Sequence, residues 1–313
     1  MRLTAAIDAG GTKIAGALVD QENRLRWRIE EPTPMVDGAR DPGLATVVEV
    51  ALRLEAEADR RGAKLDGLGV GLPEYVADGV VQGRDVLAWD RQPAELLAAA
   101  LPGECGVPGV PGLPGVPVTV ESDVRLGALA EWKLGAGVSA GADSMVYVSW
   151  GTGLSSAFAT SAGVWPGSQG RAIALGELRV DSGVDPAWDG NLEAYASGHG
   201  IARRFEQLTG APAGAGARHV AEACAGGDAT ARRVLTSAGR AVGHAIAAAV
   251  FLLDPALIVV GGGFGLADTP AVHAAHEAYT QLVIATHRTA PRWLPAGCGT
   301  DAGLLGAALA ARS

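Results

Sequence analysis

The sequence has few cysteines and little basic charge, and both shortages exclude classes of protein. The three cysteines are odd in number and far apart: Cys105, Cys224 and Cys298. This argues against a disulfide framework and is typical of a reducing compartment. Lys and Arg total 25 against 34 Asp and Glu, so the formal net charge is −9. Without a cluster of basic residues, the chain is a poor candidate for binding nucleic acid or a membrane surface.

Long hydrophobic runs are also missing. No stretch approaches about 18 uninterrupted apolar residues, so we expect no membrane-spanning helix. Residues 1–11 lack the long apolar core and the cleavage site of a signal peptide, so we expect a cytoplasmic location. The chain does have 313 residues, of which 48% are hydrophobic. That length allows about two domains, each with a sizeable core.

A strand, a glycine-rich turn and a second strand are predicted twice, over residues 3–19 and 145–165. Each copy begins a β-rich stretch that helices follow. This self-similarity predicts an α/β fold of two related lobes whose turns face one another across a central cleft. We assign residues 1–118 to the first lobe and 119–313 to a larger second lobe. The final predicted helix, 300–312, could pack back on the first lobe.

Two other segments have recognisable patterns. The apolar pattern over residues 190–208 predicts one helix. Gly106–Pro117 is a short tripeptide repeat, GVP-GVP-GLP-GVP. Four such triplets cannot build a collagen triple helix, so we interpret the repeat as an extended connector without an assigned role.

The first turn combines a carboxylate, two glycines, a hydroxyl and an ammonium group in the sequence DAGGTK. Glycines let the backbone approach a ligand closely and direct N–H groups at an anion. Asp8 could hold a divalent metal ion directly or through water. These features predict a phosphate and Mg²⁺ site formed by Asp8, Gly10, Gly11, Thr12 and Lys13. The alternative is a plain hairpin that Asp8 caps, and neither the Walker P-loop nor the dinucleotide-binding pattern is matched.

Two uncharged glycine segments are candidates for the rest of a nucleotide site. The second turn could offer N–H and hydroxyl groups to the same phosphates and consists of Gly151, Thr152 and Gly153. A predicted buried strand ends in a run of glycines against which adenine or ribose could lie: Gly261, Gly262 and Gly263. The alternative for this run is a tight turn that leads into a helix.

Asp123 lies just after a predicted strand and at the start of a predicted helix, in the segment ESDV. A carboxylate at this position could accept the proton of a substrate hydroxyl as that oxygen attacks phosphorus. The structural alternative is a helix N-cap, which Ser122 or Asp123 would form well. The residues alone leave both interpretations open.

In their order and spacing, these four segments resemble the ROK family (repressors, open reading frames and sugar kinases) of the actin-like ATPase superfamily. The family's first phosphate motif, D-x-G-G-T-K, is matched in full by Asp8 to Lys13. Its catalytic segment, usually E-N-D-A, reads ESDV here. The segment NLEAYASG at 191–198 and the ending DAGLLGAALA at 301–310 also fit. The resemblance covers essentially the whole chain.

The resemblance implies a two-lobed α/β fold of the actin-like ATPase (ribonuclease H-like) type and an ATP-dependent kinase that acts on a sugar-like hydroxyl. Asp123 would be the general base, and the two turns would clamp the ATP phosphates with Mg²⁺. A homodimer would be compatible with the family. The implied substrate-binding candidates are Glu74, Ser122, Asp123, Glu177 and Glu193.

The chain departs from the family where a structural zinc usually binds. Family members commonly carry G-E-x-G-H followed by a cysteine cluster. The histidine position is Val180 here, and the cysteine positions correspond to Val184, Pro186 and Asn191. Because a structural zinc site needs four nitrogen or sulfur donors, we expect no zinc.

The sugar pocket departs from the family as well. In family kinases, an asparagine and the motif histidine hydrogen-bond sugar hydroxyls, whereas Ser122 and Val180 occupy these positions here. Glu74 stands where a glycine is usual. A valine leaves a hydroxyl unpaired, so plain glucose is a less favoured substrate than in an ordinary family member.

The leading hypothesis is therefore a kinase that acts on a primary hydroxyl of a modified sugar or sugar-like polyol. The enzymatic alternatives are an ordinary glucokinase or hexose kinase and a C7-cyclitol kinase of a biosynthetic pathway. A repressor would need a helix-turn-helix, for which no room precedes the phosphate motif. A degenerate, non-catalytic sugar-binding protein would be expected to lose Asp123 or Lys13, and both are present.

Overall fold

The computed structural model describes residues 1–84, 86–100, 116–210 and 216–313. All but the last two residues of the repeat Gly106–Pro117 lie outside these ranges. Tertiary contacts divide the described chain into two units. The first unit comprises Met1–Ala130, Pro166–Ala172 and Asp301–Ser313. The second comprises Glu131–Trp165 and Ile173–Thr300.

The first unit is built on a five-stranded sheet. In spatial order its strands are β3 (Leu25–Pro32), β2 (Lys13–Val19), β1 (Arg2–Ala9), β6 (Lys64–Leu72) and β9 (Val118–Ser122). The first three are antiparallel, whereas β1, β6 and β9 are parallel. Two small hairpins add β4 (Met35–Val36), β5 (Ala39–Arg40), β7 (Val76–Ala77) and β8 (Val80–Val81). The helices are α1 (Ala45–Arg60), α2 (Pro93–Ala100), α3 (Asp123–Lys133), which continues into the second unit, and the C-terminal helix.

Strand β1 is buried on both faces. Successive residues of a strand point to opposite faces. Leu3, Ala5 and Ile7 accordingly share a core with α1, whereas Ala6 shares one with the C-terminal helix, α10 (Ala302–Ala310). Asp8 follows the alternation of Ala6, so its side chain belongs to the face that α10 covers.

The second unit repeats this arrangement with a second five-stranded sheet. Its strands, in spatial order, are β12 (Gly163–Val164), β11 (Leu154–Thr160), β10 (Ser144–Trp150), β13 (Leu257–Gly261) and β14 (Arg292–Pro295). β10 and β11 form an antiparallel hairpin, and β10, β13 and β14 are parallel. The helices are α4 (Ala136–Ala140), α5 (Leu192–Ala196), α6 (Gly198–Thr209), α7 (Ala217–Ala225), α8 (Ala229–Leu253) and α9 (Pro270–Ala285). The predicted strand–turn–strand duplication is thus confirmed.

The division of the chain differs from the expected boundary between 118 and 119. Strand β9 pairs with β6, and this hydrogen bonding keeps 118–122 in the first sheet. Contacts extend the first unit to Ala130 and return 301–313 to it, because α10 packs against β1 and β6.

The single helix expected over 190–208 is interrupted. Ser197 is extended (φ −63°, ψ 166°), and its hydroxyl accepts the N–H of Gly200 as the N-cap of α6. The interruption lets Gly198 approach the carbonyl oxygen of Gly151.

Helix α8 is the one helix in the described part of the chain with the length and apolar composition of a membrane span. Within its most apolar window, 67% of the residues are buried inside the protein. Packing in the core of the second unit is therefore a sufficient reason for its apolar sequence.

Candidate active site

The first turn closes the β1–β2 hairpin and is fastened to the end of β3. The N–H of Gly10 donates to the carbonyl oxygen of Lys13 at 2.8 Å. Thr33 holds the turn twice: its hydroxyl donates to the Gly10 carbonyl at 2.6 Å, and its N–H donates to the Thr12 carbonyl at 3.0 Å. The sequence provides no local signal for Thr33, because the contact depends on the pairing of β2 with β3.

A network of charges surrounds this turn. Lys13 Nζ lies 3.0 Å from Glu30 Oε2, and Arg28 Nη2 lies 3.3 Å from the same oxygen. Arg28 also forms an ion pair with Asp301. The hydrogen bond from Lys13 is the main influence that lowers the pKa of Glu30. Burial raises the pKa of Asp8, and the positive charges of Lys13 and Arg28 oppose that rise.

Asp8 and Asp123 lie at the carboxyl ends of the parallel strands of the first sheet. Asp8 pairs with Gly71 of β6, which pairs in turn with Glu121 of β9. A Cβ built on Gly71 would lie 3.5 Å from the Cα of Asp123. The phosphate turn follows β1 and Asp123 follows β9, and only β6 lies between these two strands. Neighbouring strands are about 4.8 Å apart, so the first unit brings the turn and Asp123 close together.

The segment around Asp123 is held by local hydrogen bonds. Asp123 Oδ1 accepts the N–H of Val124 at 2.6 Å. Ser122 is buried, and its N–H donates to Glu121 Oε1 at 2.6 Å. Arg125 Nε donates to the same oxygen at 2.9 Å. The pair of partly exposed Glu121 and buried Arg125 was not among the predicted residues, and it joins the end of β9 to the first turn of α3.

Glu74 is buried and binds backbone. Its Oε1 accepts the N–H groups of Val86 at 2.8 Å and Leu87 at 3.4 Å. Val86 lies beside the first turn, because a Cβ built on Gly11 would be 3.0 Å from Val86 Cγ1. Through these hydrogen bonds, Glu74 holds the backbone segment that packs beside the phosphate turn.

The second turn is held almost entirely by backbone hydrogen bonds. The N–H of Gly151 donates to the Gly153 carbonyl at 2.9 Å. The start of α6 adds two bonds: Gly198 N–H donates to the Gly151 carbonyl at 2.9 Å, and His199 N–H donates to the Thr152 carbonyl at 3.2 Å. Thr152 and Gly153 remain exposed.

Glu193 reinforces this turn through its side chain. Its Oε1 accepts the N–H of Leu154 at 3.0 Å, and a Cβ built on Gly153 would lie 2.8 Å from that oxygen. Glu177 belongs to a neighbouring segment, since a Cβ built on Gly176 would be 3.3 Å from the Cβ of Glu193. Both glutamates are exposed in the second unit.

The three glycines after β13 have different roles in the packing. Gly262 has a φ of +80°, and a Cβ there would overlap the backbone of Trp150. A Cβ on Gly261 would lie 2.7 Å from the hydroxyl oxygen of Tyr147. Gly263 is exposed with open space around it, and its N–H lies 3.9 Å from a Cβ built on Gly151. Packing against the Tyr147 side chain thus accounts for Gly261 and packing against the Trp150 backbone for Gly262, while Gly263 adjoins the second turn.

The segment where zinc ligands were expected to be missing is held by other contacts. Val180 is buried in the core of the second unit, and Asn191 Oδ1 caps α5 through the N–H of Ala194. Tyr195 contacts Trp188 edge-on at 5.0 Å between ring centroids, and its hydroxyl donates to Asp185 at 3.1 Å. No group of three or more His, Cys, Asp or Glu side chains in the described ranges could hold a metal ion. The absence of zinc stays a prediction.

Comparison with known proteins gives a consistent result along the whole chain. A family model described as the ROK family matches residues 4–313. The glucokinase of Streptomyces coelicolor is 27% identical, over 100% of this chain and 98% of that protein. An N-acetylmannosamine kinase of Citrobacter koseri is 29% identical, over 99% and 98%. The solved structure of a ROK family glucokinase from Streptomyces griseus, in complex with glucose and AMPPNP, has a TM-score of 0.78 and 26% identity, over 99% of each chain. These likenesses confirm the predicted actin-like ATPase fold.

Proposed function

Because the chain belongs to the ROK family, we propose that it is a sugar kinase that transfers the γ-phosphoryl group of ATP to a hydroxyl of a sugar or sugar-like polyol. This is a phosphotransferase activity with an alcohol acceptor, and it is consistent with the relatives that are named glucokinase and N-acetylmannosamine kinase. The observation that carries the proposal is the position of Asp123, which follows β9 at the sheet edge where Asp8 and the first turn lie.

Asp123 acts as the general base. Its half-buried carboxylate accepts the proton of the acceptor hydroxyl while that oxygen attacks the γ-phosphorus and the bond from phosphorus to ADP breaks. The start of α3 and the hydrogen bond from Val124 restrict where the carboxylate can lie. A positioned base of this kind contributes about 10²- to 10⁴-fold to a rate.

The residues around the first turn fit Mg²⁺ and the phosphates of ATP. Asp8 offers the hard carboxylate oxygen that Mg²⁺ prefers, and Lys13 offers a positive charge on an exposed side chain. When bound, ATP supplies the phosphoryl group and Mg²⁺ neutralises phosphate charge. In the first unit, the N–H groups of the first turn and the Thr12 hydroxyl would bind phosphate. In the second unit, the N–H groups of the second turn and the Thr152 hydroxyl would do so, and Gly263 would contact the nucleoside.

The acceptor is a sugar or polyol that presents no hydroxyl to residue 180, because Val180 has no polar side-chain atom and lies in the core. Glu177, Ser122 and Asp123 are the proposed acceptor contacts. Glu74 and Glu193, whose visible hydrogen bonds go to backbone N–H groups, act at least in part by positioning. The proposal includes a cytoplasmic location, a homodimer and no structural zinc.

A screen for acceptor-dependent ADP release tests this function. Hexoses, N-acetylated and amino sugars and cyclitols are each incubated with the protein, ATP and Mg²⁺. We expect one acceptor class to release ADP well above the acceptor-free rate, with a phosphate monoester visible by ³¹P NMR. If none of these acceptors stimulates ADP release, the non-catalytic sugar-binding alternative is favoured.

Metal analysis tests the zinc prediction separately. The purified protein is expected to contain no stoichiometric zinc, because Val180, Val184 and Pro186 provide no ligands. One zinc per chain would show that the expected correspondence of residues 176–193 with the family's zinc segment is wrong.

A further inference from the structure

The C-terminal helix α10 is fixed closely against the first sheet. A Cβ built on Gly69 of β6 would overlap the backbone of Ala307, and one built on Gly306 would overlap the backbone of Leu126. A Cβ on Gly67 would lie 2.8 Å from the carbonyl oxygen of Ala311. Backbone therefore meets backbone at these three points: Ala307 and Ala311 lie directly against β6, and Gly306 lies directly against α3.

The beginning of α10 meets the Asp8 side chain. Three atoms are nearest to a Cβ built on Gly303, and all belong to the Asp8 carboxyl group. Such a Cβ would overlap Oδ2 and lie 2.6 Å from Cγ and 3.1 Å from Oδ1. The carboxyl group therefore fills the space that a side chain at residue 303 would need.

An ion pair fixes the same end of the helix. Asp301, just before α10, pairs with Arg28 of β3. Arg28 is one of the two positive charges that oppose the rise in the pKa of Asp8. Both residues of this contact are thus held in place: β1 holds Asp8 within the sheet, and α10 holds Gly303.

We propose that Gly303 is a positioning residue for Asp8: the absence of a side chain at residue 303 sets where the metal-binding carboxylate lies. The inference rests on the proposed function for the role of Asp8 and on packing alone for the contact. The motif DAGLLGAALA would thus support the phosphate turn, although it lies almost 300 residues further along the chain.

A double-mutant cycle on thermal stability tests the contact without any activity. Gly303→Ala should lower Tm by about 2–5 °C, as expected for an overpacked site in a chain of this size. In an Asp8→Ala background, the three clashing atoms are gone, so the same change should lower Tm by much less. Gly226→Ala is the matched control, because a Cβ there meets its nearest atom at an ordinary 3.4 Å. An equal loss of Tm in both backgrounds would overturn the proposal.

The Mg²⁺ requirement tests the positioning role. Displacing a metal-binding carboxylate by altering its supporting neighbour is expected to raise the Mg²⁺ concentration for half-maximal ADP release by about 10- to 100-fold. Gly226→Ala should leave it unchanged. A Gly303→Ala enzyme that is less stable but has the wild-type Mg²⁺ requirement would contradict the positioning role. If the wild type phosphorylates no acceptor, the proposed function fails, while the stability cycle still decides the contact.

Discussion

The two strand–turn–strand hairpins share one topology but hold their turns by different means. At β1–β2, the turn lies among Asp8, Lys13, Arg28 and Glu30, and two basic side chains share one carboxylate oxygen. At β10–β11, the turn has no charged residue of its own, and the start of α6 binds it through two backbone hydrogen bonds. The duplicated scaffold thus provides two similar turns, of which only the first carries charge.

This difference predicts that substitutions in the two turns have different effects. The Lys13–Glu30 pair is exposed, and such pairs stabilise a protein by about 0–1 kcal/mol, so Lys13 can exchange Glu30 for a phosphate at little cost. In the second turn, hydrogen bonds hold the backbone in place. We therefore expect its N–H groups and its hydroxyl to act through their fixed positions and not through charge. We expect substitutions at the first turn to act mainly through charge and those at the second through geometry.

The largest effect is expected at Asp123, which belongs to neither turn. Its loss of activity is the reference for the substitutions in both turns. Asp123→Asn should lower kcat by about 10²- to 10⁴-fold, because the general base is lost. AMPPNP affinity, measured by calorimetry, should stay nearly unchanged. Asp59→Asn, at an exposed position of α1, is the control and should keep wild-type turnover. Unchanged turnover in Asp123→Asn would remove Asp123 from its role.

A paired substitution then compares the turns directly. Lys13→Ala should lower kcat/KM for ATP by about 10²- to 10³-fold, as for the loss of a preorganised charged donor. Thr152→Ala should cost only about fivefold, the value of one neutral hydrogen bond. Both are measured by ADP release at varied ATP concentration. Equal losses would show that charge does not distinguish the two turns.

Glu193 offers a third comparison, between positioning and substrate contact. Glu193→Ala removes the acceptor of the Leu154 N–H and should raise KM for ATP by about tenfold, whereas Glu193→Gln keeps an acceptor and should stay near wild type. KM for the sugar should change little in either variant. A rise in the sugar KM of Glu193→Gln would instead support the prediction that Glu193 binds the substrate.

The last prediction concerns stability and not turnover, and it concerns the acid sensitivity of the β2–β3 hairpin. Asp20, at the other end of β2, is buried; burial would raise its pKa, but hydrogen bonds from Arg24 and Arg26 outweigh this and lower the pKa from 3.8 to about 2. The folded state therefore favours the ionised form, and the resulting stability is present above pH 3.8 and lost as pH falls through about 2. Asp20→Asn should lower the free energy of unfolding by about 2 kcal/mol at pH 7.

Urea titrations between pH 7 and pH 2 check this prediction. The difference between wild type and Asp20→Asn should shrink as the pH falls from about 4 toward 2. A difference that is independent of pH would show that the hydrogen-bond geometry of Asp20, and not its charge, stabilises the hairpin.

Local patterns in the sequence were sufficient for some features and not for others. Both turns and their flanking strands could be predicted, because apolar runs that end in glycine have a clear local signature. The break at Ser197 could not, since it depends on the approach of Gly198 to Gly151. Thr33 and Gly303 were also missed, because their contacts to the first turn join residues far apart in the chain. The roles assigned to the site residues stay predictions.

A crystal structure of the protein with Mg²⁺, AMPPNP and the best acceptor from the screen tests the central claim most directly. We predict that the phosphates contact both Gly10–Lys13 and Gly151–Gly153. The Asp123 carboxylate should lie within about 2.6–3.2 Å of the acceptor hydroxyl. A nucleotide bound away from either turn, or an acceptor whose hydroxyls all lie beyond reach of Asp123, would contradict the account.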